Sequence, residues 1–317
     1  MRKLLACSLL LASFAVAIGH AQEAASGNKL PFTLKPLGHG VYAAIDDEKG
    51  DAGANAGFVV GDDGVAVIDT FEHEAAAKAL LAEIRKITPL PIKFAINTHY
   101  HLDHVAGNNV FIQEGAVVLA QQNIRSWIHT ENLKFFGKKI TPEQKAEVEK
   151  LGAPEVTYEH GVDLYLGEKR LEVRVFPGHT GGDSVVRIAD ADVTFCGDLF
   201  WHKTLPNLID ATTSQWTETL NALAELSSKG TFVPGHGDVG TATDVEDFRG
   251  YLTDLRTWTS SAVSGGKTDD ALIDDVRTQL SKKYGEWNFY KYFAKSNIRD
   301  MAEEIQGKKR VPQAPGQ

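Results

Sequence analysis

Residues His99, His101, Asp103 and His104 place three imidazoles and a carboxylate within six consecutive positions, His99 to His104. Imidazole and carboxylate are the usual nitrogen and oxygen donors for a metal such as zinc. In an extended segment His99 and His101 point the same way, and a turn into helix would send Asp103 and His104 in another direction. One short loop could thus serve two metal positions. Three further stations follow downstream: His179 in Pro177-Gly178-His179, Asp198 after Gly197, and His236 in Pro234-Gly235-His236. In both Pro-Gly-His stretches, proline is expected to end the strand and glycine to allow a sharp turn, so that a loop delivers the imidazole.

The elements that must position these residues alternate between strand and helix patterns. Gly38–Ile45, Ala56–Val60 and Val65–Asp69 read as strands, the last two joined by the hairpin-forming Gly61-Asp62-Asp63-Gly64. Ala75–Ile87 has helical periodicity and is broken by Thr88-Pro89-Leu90-Pro91. The apolar run Ile92–Asn97 is a strand leading into the histidine loop. Asn108–Glu114, Gln121–Phe136 and Ile140–Leu151 read as helices, the last as part of a rim over the site, and Ala116–Ala120 as a strand. Leu171–Phe176, Val185–Ile188, Val193–Cys196 and Thr231–Val233 are expected strands, so every ligand station stands at a strand end. Ser214 is expected to cap a helix running to Leu226, and the tail from about Thr243 reads as mainly helical, with aromatic residues Trp287, Phe289, Tyr290, Tyr292 and Phe293. Hairpin-like pairs at 56–69 and 185–198 imply two mixed sheets with helices outside rather than one doubly wound parallel sheet.

The amino-terminal stretch stands apart. Arg2-Lys3 precedes the mostly apolar Leu4–Ile18, and Gly19-His20-Ala21 offers small residues to a signal peptidase. This pattern predicts a secretory leader, 1–21, cut after Ala21, with a cut after Ala17 as the alternative. The apolar run is short for a spanning helix, so no membrane span is expected after cleavage. The expected location is periplasmic or secreted. Residues 22–33 read as a flexible leader to the fold. A formal net charge of −9 disfavours nucleic acid as a partner. The two cysteines are Cys7, within the leader, and Cys196, which leaves no intramolecular disulfide in the mature chain. Cys196 sits in an apolar strand pattern and reads as a core side chain, with a reactive thiol as the alternative.

His-x-His-x-Asp-His, then Gly-His, Gly-Asp and Gly-His, in that order over about residues 38–240, resembles the metallo-β-lactamase-fold hydrolase superfamily, in particular its secreted glyoxalase-II-like group. The resemblance implies an α/β, four-layer αββα sandwich over residues 22–240, followed by a helical C-terminal extension over 241–317. It implies that His99, His101 and His179 hold a first metal, that Asp103, His104 and His236 hold a second, and that Asp198 bridges them. Asp103 and Asp198 are then the carboxylates closest to catalysis. The implied cofactor is two Zn²⁺, with Fe or Mn as alternatives. Such a pair lowers the pKa of a shared water, so that hydroxide can attack the carbonyl of an ester, thioester, lactone or amide in a small-molecule substrate. Beside a non-catalytic zinc-binding protein, two alternatives stay open. One is a mononuclear iron persulfide dioxygenase using His99, His179 and Asp198. The other is β-lactam hydrolysis, expected only as a side activity because dedicated zinc β-lactamases lack an aspartate at the station of Asp198.

Around this set, Asp69 is expected either to orient a ligand histidine or to serve a turn. Tyr100 and Asn108 read as supporting residues, and His202 as a surface or supporting histidine, with donation to substrate or to a leaving group as the alternative. Trp201 and Phe200 read either as pocket wall or as core. His39, His73, His129 and His160 have no partner pattern.

Overall fold

A computed structural model describes residues 29–47 and 50–314, so the expected leader lies outside the described residues. In chain order the strands are β1 (Phe32–Gly38), β2 (Val41–Asp46), β3 (Ala56–Val60), β4 (Val65–Ile68), β5 (Ile92–Ile96), β6 (Val117–Gln121), β7 (Val156–Tyr158), β8 (Gly161–Leu166), β9 (Lys169–Val175), β10 (Ser184–Ile188), β11 (Val193–Trp201) and β12 (Thr231–His236). The helices are α1 (Glu74–Ile87), α2 (Leu102–Val105), α3 (Asn108–Gln113), α4 (Gln122–Thr130), α5 (Pro142–Glu149), α6 (Thr213–Leu226), α7 (Ala242–Ser264), α8 (Asp269–Tyr284) and α9 (Tyr290–Ile305), with a 3₁₀ segment at Glu131–Lys139.

Two mixed sheets result. The first runs β1 to β7 in sequence order, antiparallel through β4 and parallel from β4 to β7. The second runs β12-β11-β10-β9-β8, with β12 parallel to β11 and the rest antiparallel. Strand alternation splits the core. On β4, Ala66 and Ile68 face the second sheet, where they meet Val186, Val193 and Phe195. Val65 and Val67 face outward against Leu80 and Ile84 of α1. The outer face of the second sheet is covered by α6 to α9, through Phe200, Trp216, Leu220 and Phe248. The layers are therefore helix, sheet, sheet, helix. The C-terminal helices share this outer core, because α7 packs on α6, β11 and β12.

Several expectations change. Phe32–Gly38 is a strand, where a flexible leader was expected to reach residue 33. Its N-terminal Phe32 is buried and stacks on Phe71, which supplies the apolar anchor. Strands β7 and β8 were not anticipated, being short or partly exposed along their length. The helix expected through Phe136 ends at Thr130 and continues as 3₁₀, with Gly137 left-handed inside it. Ser214 is not a cap, since α6 begins at Thr213. Its open N–H groups at Thr213 and Ser214 are taken by the carboxylate of Glu304 on α9.

The strands carrying the site run further than their sequences suggest. β11 does not close at Asp198 but continues to Trp201, and β12 passes through Pro234 and Gly235 to His236. Register shifts between β11 and β12 at Gly197 accommodate this, and Gly197 takes a left-handed φ of 50°. Asp198 and His236 thus project from irregular strand pairs rather than from loops. His179, between β9 and β10, is on a loop as expected.

Candidate metal centre

His101 ends the extended segment, and α2 begins at the next residue, so Asp103 and His104 swing to a different side from His99 and His101. The two expected clusters both form. His99, His101, His179 and Asp198 present donor atoms all within 4.8 Å of one another, and so do Asp103, His104, Asp198 and His236. Asp198 belongs to both. Its Oδ2 lies 3.2 Å from His179 Nε2 and 3.6 Å from His99 Nε2. Its Oδ1 lies 3.0 Å from His104 Nε2 and 3.5 Å from His236 Nε2. Asp103 Oδ2 closes the second cluster, 3.2 Å from His236 Nε2. In the first, His101 Nδ1 is 3.0 Å from His179 Nε2.

These distances are short, yet only the His101–His179 pair among them has hydrogen-bond geometry. His99 Nε2, His104 Nε2, His236 Nε2 and Asp198 Oδ1 are buried and have no hydrogen-bond partner. A buried polar atom without a partner is costly, and three convergent histidines and the carboxylate between them sharing the fault need a common cause. Cations held between them supply it, so the residues fit a metal pair.

The other ring nitrogens are tied down. Asp69 Oδ2 lies 2.8 Å from His104 Nδ1, and Thr98 Oγ1 donates to the same oxygen at 2.7 Å. Thr98 Oγ1 in turn stands 3.1 Å from His99 Nδ1. One carboxylate therefore aims two imidazoles, which settles Asp69 as an orienting residue. It takes a left-handed φ of 56° at the end of β4, the bend that turns its carboxylate inward. His101 Nε2 lies 3.0 Å from Asp210 Oδ2. Asp210 also accepts from the Tyr100 hydroxyl and, at 2.6 Å, from Lys134 Nζ. Sequence reading placed Tyr100 correctly as a support but missed Asp210 and Lys134. Asp210 sits in an irregular connection with no motif around it, so only the fold reveals its partner.

Asn55 was also missed. Its buried amide donates to the carbonyls of Pro234 and Gly237, clamping the tip of β12 behind His236. Asn108 bonds Thr70, Asn97 and Gly152 and braces the histidine loop from behind. Trp201 stacks on His236 with ring centroids 3.9 Å apart and lines the cleft, whereas Phe200 is core. His202 is outside the cleft lining, bonded to the Asp238 carbonyl and 3.2 Å from Asp244. Cys196 is buried, and burial pushes its thiol up, away from reactivity.

Electrostatics separate the groups. Burial, reinforced by neighbouring imidazoles, holds His99 well below the usual histidine range. Burial pulls His104 down too, but Asp198, Asp103 and Asp69 together outweigh it and raise the group. Burial would raise Asp198, and the surrounding histidines overcome it and hold the carboxyl well below its ordinary value. An anionic carboxylate at the centre of five imidazoles is a suitable host for cations.

The cluster opens to a cleft of ≈ 260 Å³ that reaches Asp103, Asp198, His101 and His236 at its floor. Among the described residues, no helix is long and apolar enough to cross a membrane.

Comparison with known proteins agrees with this architecture. The chain is 24% identical over 254 residues to a linear primary-alkylsulfatase of Pseudomonas sp., covering 68% of this chain and 48% of that one. It is 29% identical over 171 residues to a hydroxyacylglutathione hydrolase of Mesorhizobium japonicum, covering 54% and 56%. The chain thus spans about half the length of the curated relatives it matches. A metallo-beta-lactamase from Pontibacter korlensis shares the fold with a TM-score of 0.57 at 22% identity, over 70% of this chain and 99% of that one. The family model described as Metallo-beta-lactamase superfamily matches residues 50–236, the span from the loop before β3 to the last histidine of the cluster, and the chain belongs to that superfamily.

Proposed function

We propose that this chain is an exported hydrolase that holds two divalent cations, zinc by preference, and cleaves the bond between the acyl carbon and the leaving oxygen, sulfur or nitrogen of an ester, thioester, lactone or amide. The observation that carries this reading is the division of Asp198, one oxygen toward His99 and His179 and the other toward His104 and His236. In this reading His99, His101 and His179 hold the first cation, Asp103, His104 and His236 the second, and Asp198 both. Such a pair, when bound, supplies Lewis acidity toward a carbonyl oxygen and toward water. Asp69 fixes the His104 tautomer and, through Thr98, the aim of His99. Asp210 fixes His101. Asp103, one-quarter exposed at the cleft floor, meets the substrate side of the site.

Two relatives, a hydroxyacylglutathione hydrolase and a linear primary-alkylsulfatase, are by name hydrolytic enzymes, which supports the reaction class. A mononuclear iron site on His99, His179 and Asp198 would leave His104 Nε2 and His236 Nε2 buried without partners. The export part of the proposal rests on the leader pattern of residues 1–21. Metal analysis of the purified protein, together with turnover on a panel of esters, thioesters, lactones and amides, tests the reading. About two zinc per chain with metal-dependent turnover is expected. One iron per chain and no hydrolysis would contradict it.

A further inference from the structure

The walls of the cleft, in contrast to its floor, are aromatic. Phe135 and Phe289 are 37% and 39% exposed, unusual for rings of that size, and both line the cleft. They stand on opposite sides of the candidate metal centre. Phe135 meets His101 edge-on at 5.0 Å, and Phe289 meets His236 edge-on at 6.1 Å. Phe293 and Leu102 extend the apolar lining.

Phe289 is held in place at a cost. It adopts a left-handed backbone, φ 60°, which a bulky side chain seldom takes. The strand-like pairing of Asn288 with Lys203 and Leu205 fixes the preceding residue and so fixes the ring over the cleft. Strain of this kind persists where surrounding structure enforces it, commonly at ligand sites. Phe289 and Phe293 also lie beyond residue 236, where the family match ends, so this wall belongs to the C-terminal helices of this chain.

Charge narrows the choice of ligand. No lysine or arginine lines the cleft among the described residues, whereas Glu72 does, beside Asp103. The nearest lysine in sequence, Lys134, is committed to Asp210 at 2.6 Å and to the Tyr100 hydroxyl at 2.8 Å. A distal carboxylate, sulfate or phosphate on a substrate would face Glu72, and the ammonium of Lys134, 5.5 Å from the Phe135 ring, is already paired with Asp210. Resting on the hydrolase reading above, we infer that the Phe135–Phe289 cleft selects substrates whose non-reacting part is apolar and carries no anionic group.

The test uses metal-loaded full-length protein and matched p-nitrophenyl esters: acetate, butyrate, octanoate, and the octanedioate monoester, which differs from octanoate by a terminal carboxylate. Expected is a rise in kcat/KM of about 2–4-fold per methylene along the neutral series. The octanedioate monoester should be poorer than octanoate by about tenfold or more. In Phe289→Ala and Phe135→Ala, the loss on octanoate should exceed the loss on acetate by about tenfold, while Phe289→Leu should recover part of it. A second readout is calorimetric binding of 2-octanone, which cannot be hydrolysed and should bind more weakly to each alanine variant. If no ester is turned over, yet 2-octanone binds and depends on both phenylalanines, the hydrolase reading fails and the ligand class stands. Equal kcat/KM for octanoate and its carboxylate counterpart would overturn the inference. So would chain-length preference and 2-octanone binding that both ignore Phe135 and Phe289.

Discussion

Asp210 Oδ2 sits 3.0 Å from Nε2 of His101, a partner 109 residues away in the chain. That contact leaves only Nδ1 of His101 to face His179 and Asp198, so the imidazole has one usable donor for the first metal position. Burial would raise the Asp210 carboxyl, but His101 and Lys134 outweigh it and hold it ionised. Asp210→Asn should therefore lower first-site metal affinity or turnover by about 10–100-fold, as loss of such orienting contacts does. Metal titration of the variant beside wild type measures this. An unchanged affinity together with unchanged kcat would show that Asp210 does not position His101.

Gly235 has no room for a side chain. A Cβ there would lie 1.8 Å from Asp198 Oδ1. Gly235→Ala should push the Asp198 carboxylate off its place between the histidines, or push β12 away from β11. The expected outcome is loss of at least one metal per chain, with a fall in stability on the order of 1–3 kcal/mol from the forced shift. Metal content and denaturant unfolding report the two effects. A variant with full metal content and wild-type stability would contradict the tight approach.

Much of this centre is legible in the sequence because its ligands are local or carry local signatures. His99 to His104 can be read as two directions from one loop, since a strand followed by a helix start reverses the side-chain face within a few residues. The Gly-His and Gly-Asp stations are legible for a steric reason, and the structure corrects that reason. Gly235 is required by the approach of Asp198 rather than by a sharp turn, and Gly197 by a bulge inside β11 rather than by a strand end. Asp210, Lys134, Asn55 and Glu304 were not legible. Each acts on a partner far away in sequence, and nothing in its own neighbourhood marks it. The strand β1 was missed because it lies at a sheet edge where only Phe32 is fully buried and its other apolar residues, Leu34 and Leu37, are not.

Asp183 shapes the loop that carries His179, accepting from Thr180 N at 2.7 Å and from the Thr180 hydroxyl. Burial pushes its carboxyl from 3.8 to about 7. The folded state then holds a proton that the unfolded chain has already lost. Its contribution to stability is fully present below about pH 3.8 and is lost as pH rises through about 7. Asp183→Asn can still accept from Thr180 N and does not titrate. In chelator-treated protein, wild type should lose more stability than the variant between pH 4 and 7, by on the order of 1 kcal/mol or more. Urea unfolding across that range checks this, and parallel curves for the two proteins would rule Asp183 out as the titrating group.

Glu304 of α9 accepts from Thr213 N at 3.1 Å and from the Thr213 hydroxyl at 2.9 Å, and pairs with Arg256. It joins α6, α7 and α9 at the start of α6. Glu304→Ala should cost about 1–2 kcal/mol, the range for loss of a helix cap. Thermal unfolding measures it, and a Tm equal to that of wild type would show the cap to be replaceable.

Asp198 is the residue on which the two-metal account depends, since it alone contributes to both clusters. Its central test is metal content, by mass spectrometry of the elements, in wild type and in Asp198→Ala, with circular dichroism to confirm folding. The account predicts about two metals per chain in wild type and, in the variant, one or fewer with loss of most turnover. Three histidines, His99, His101 and His179, suffice for the first, while the second loses the carboxylate that ties it to its neighbour. Two metals per chain retained in Asp198→Ala, with kcat near wild type, would contradict it.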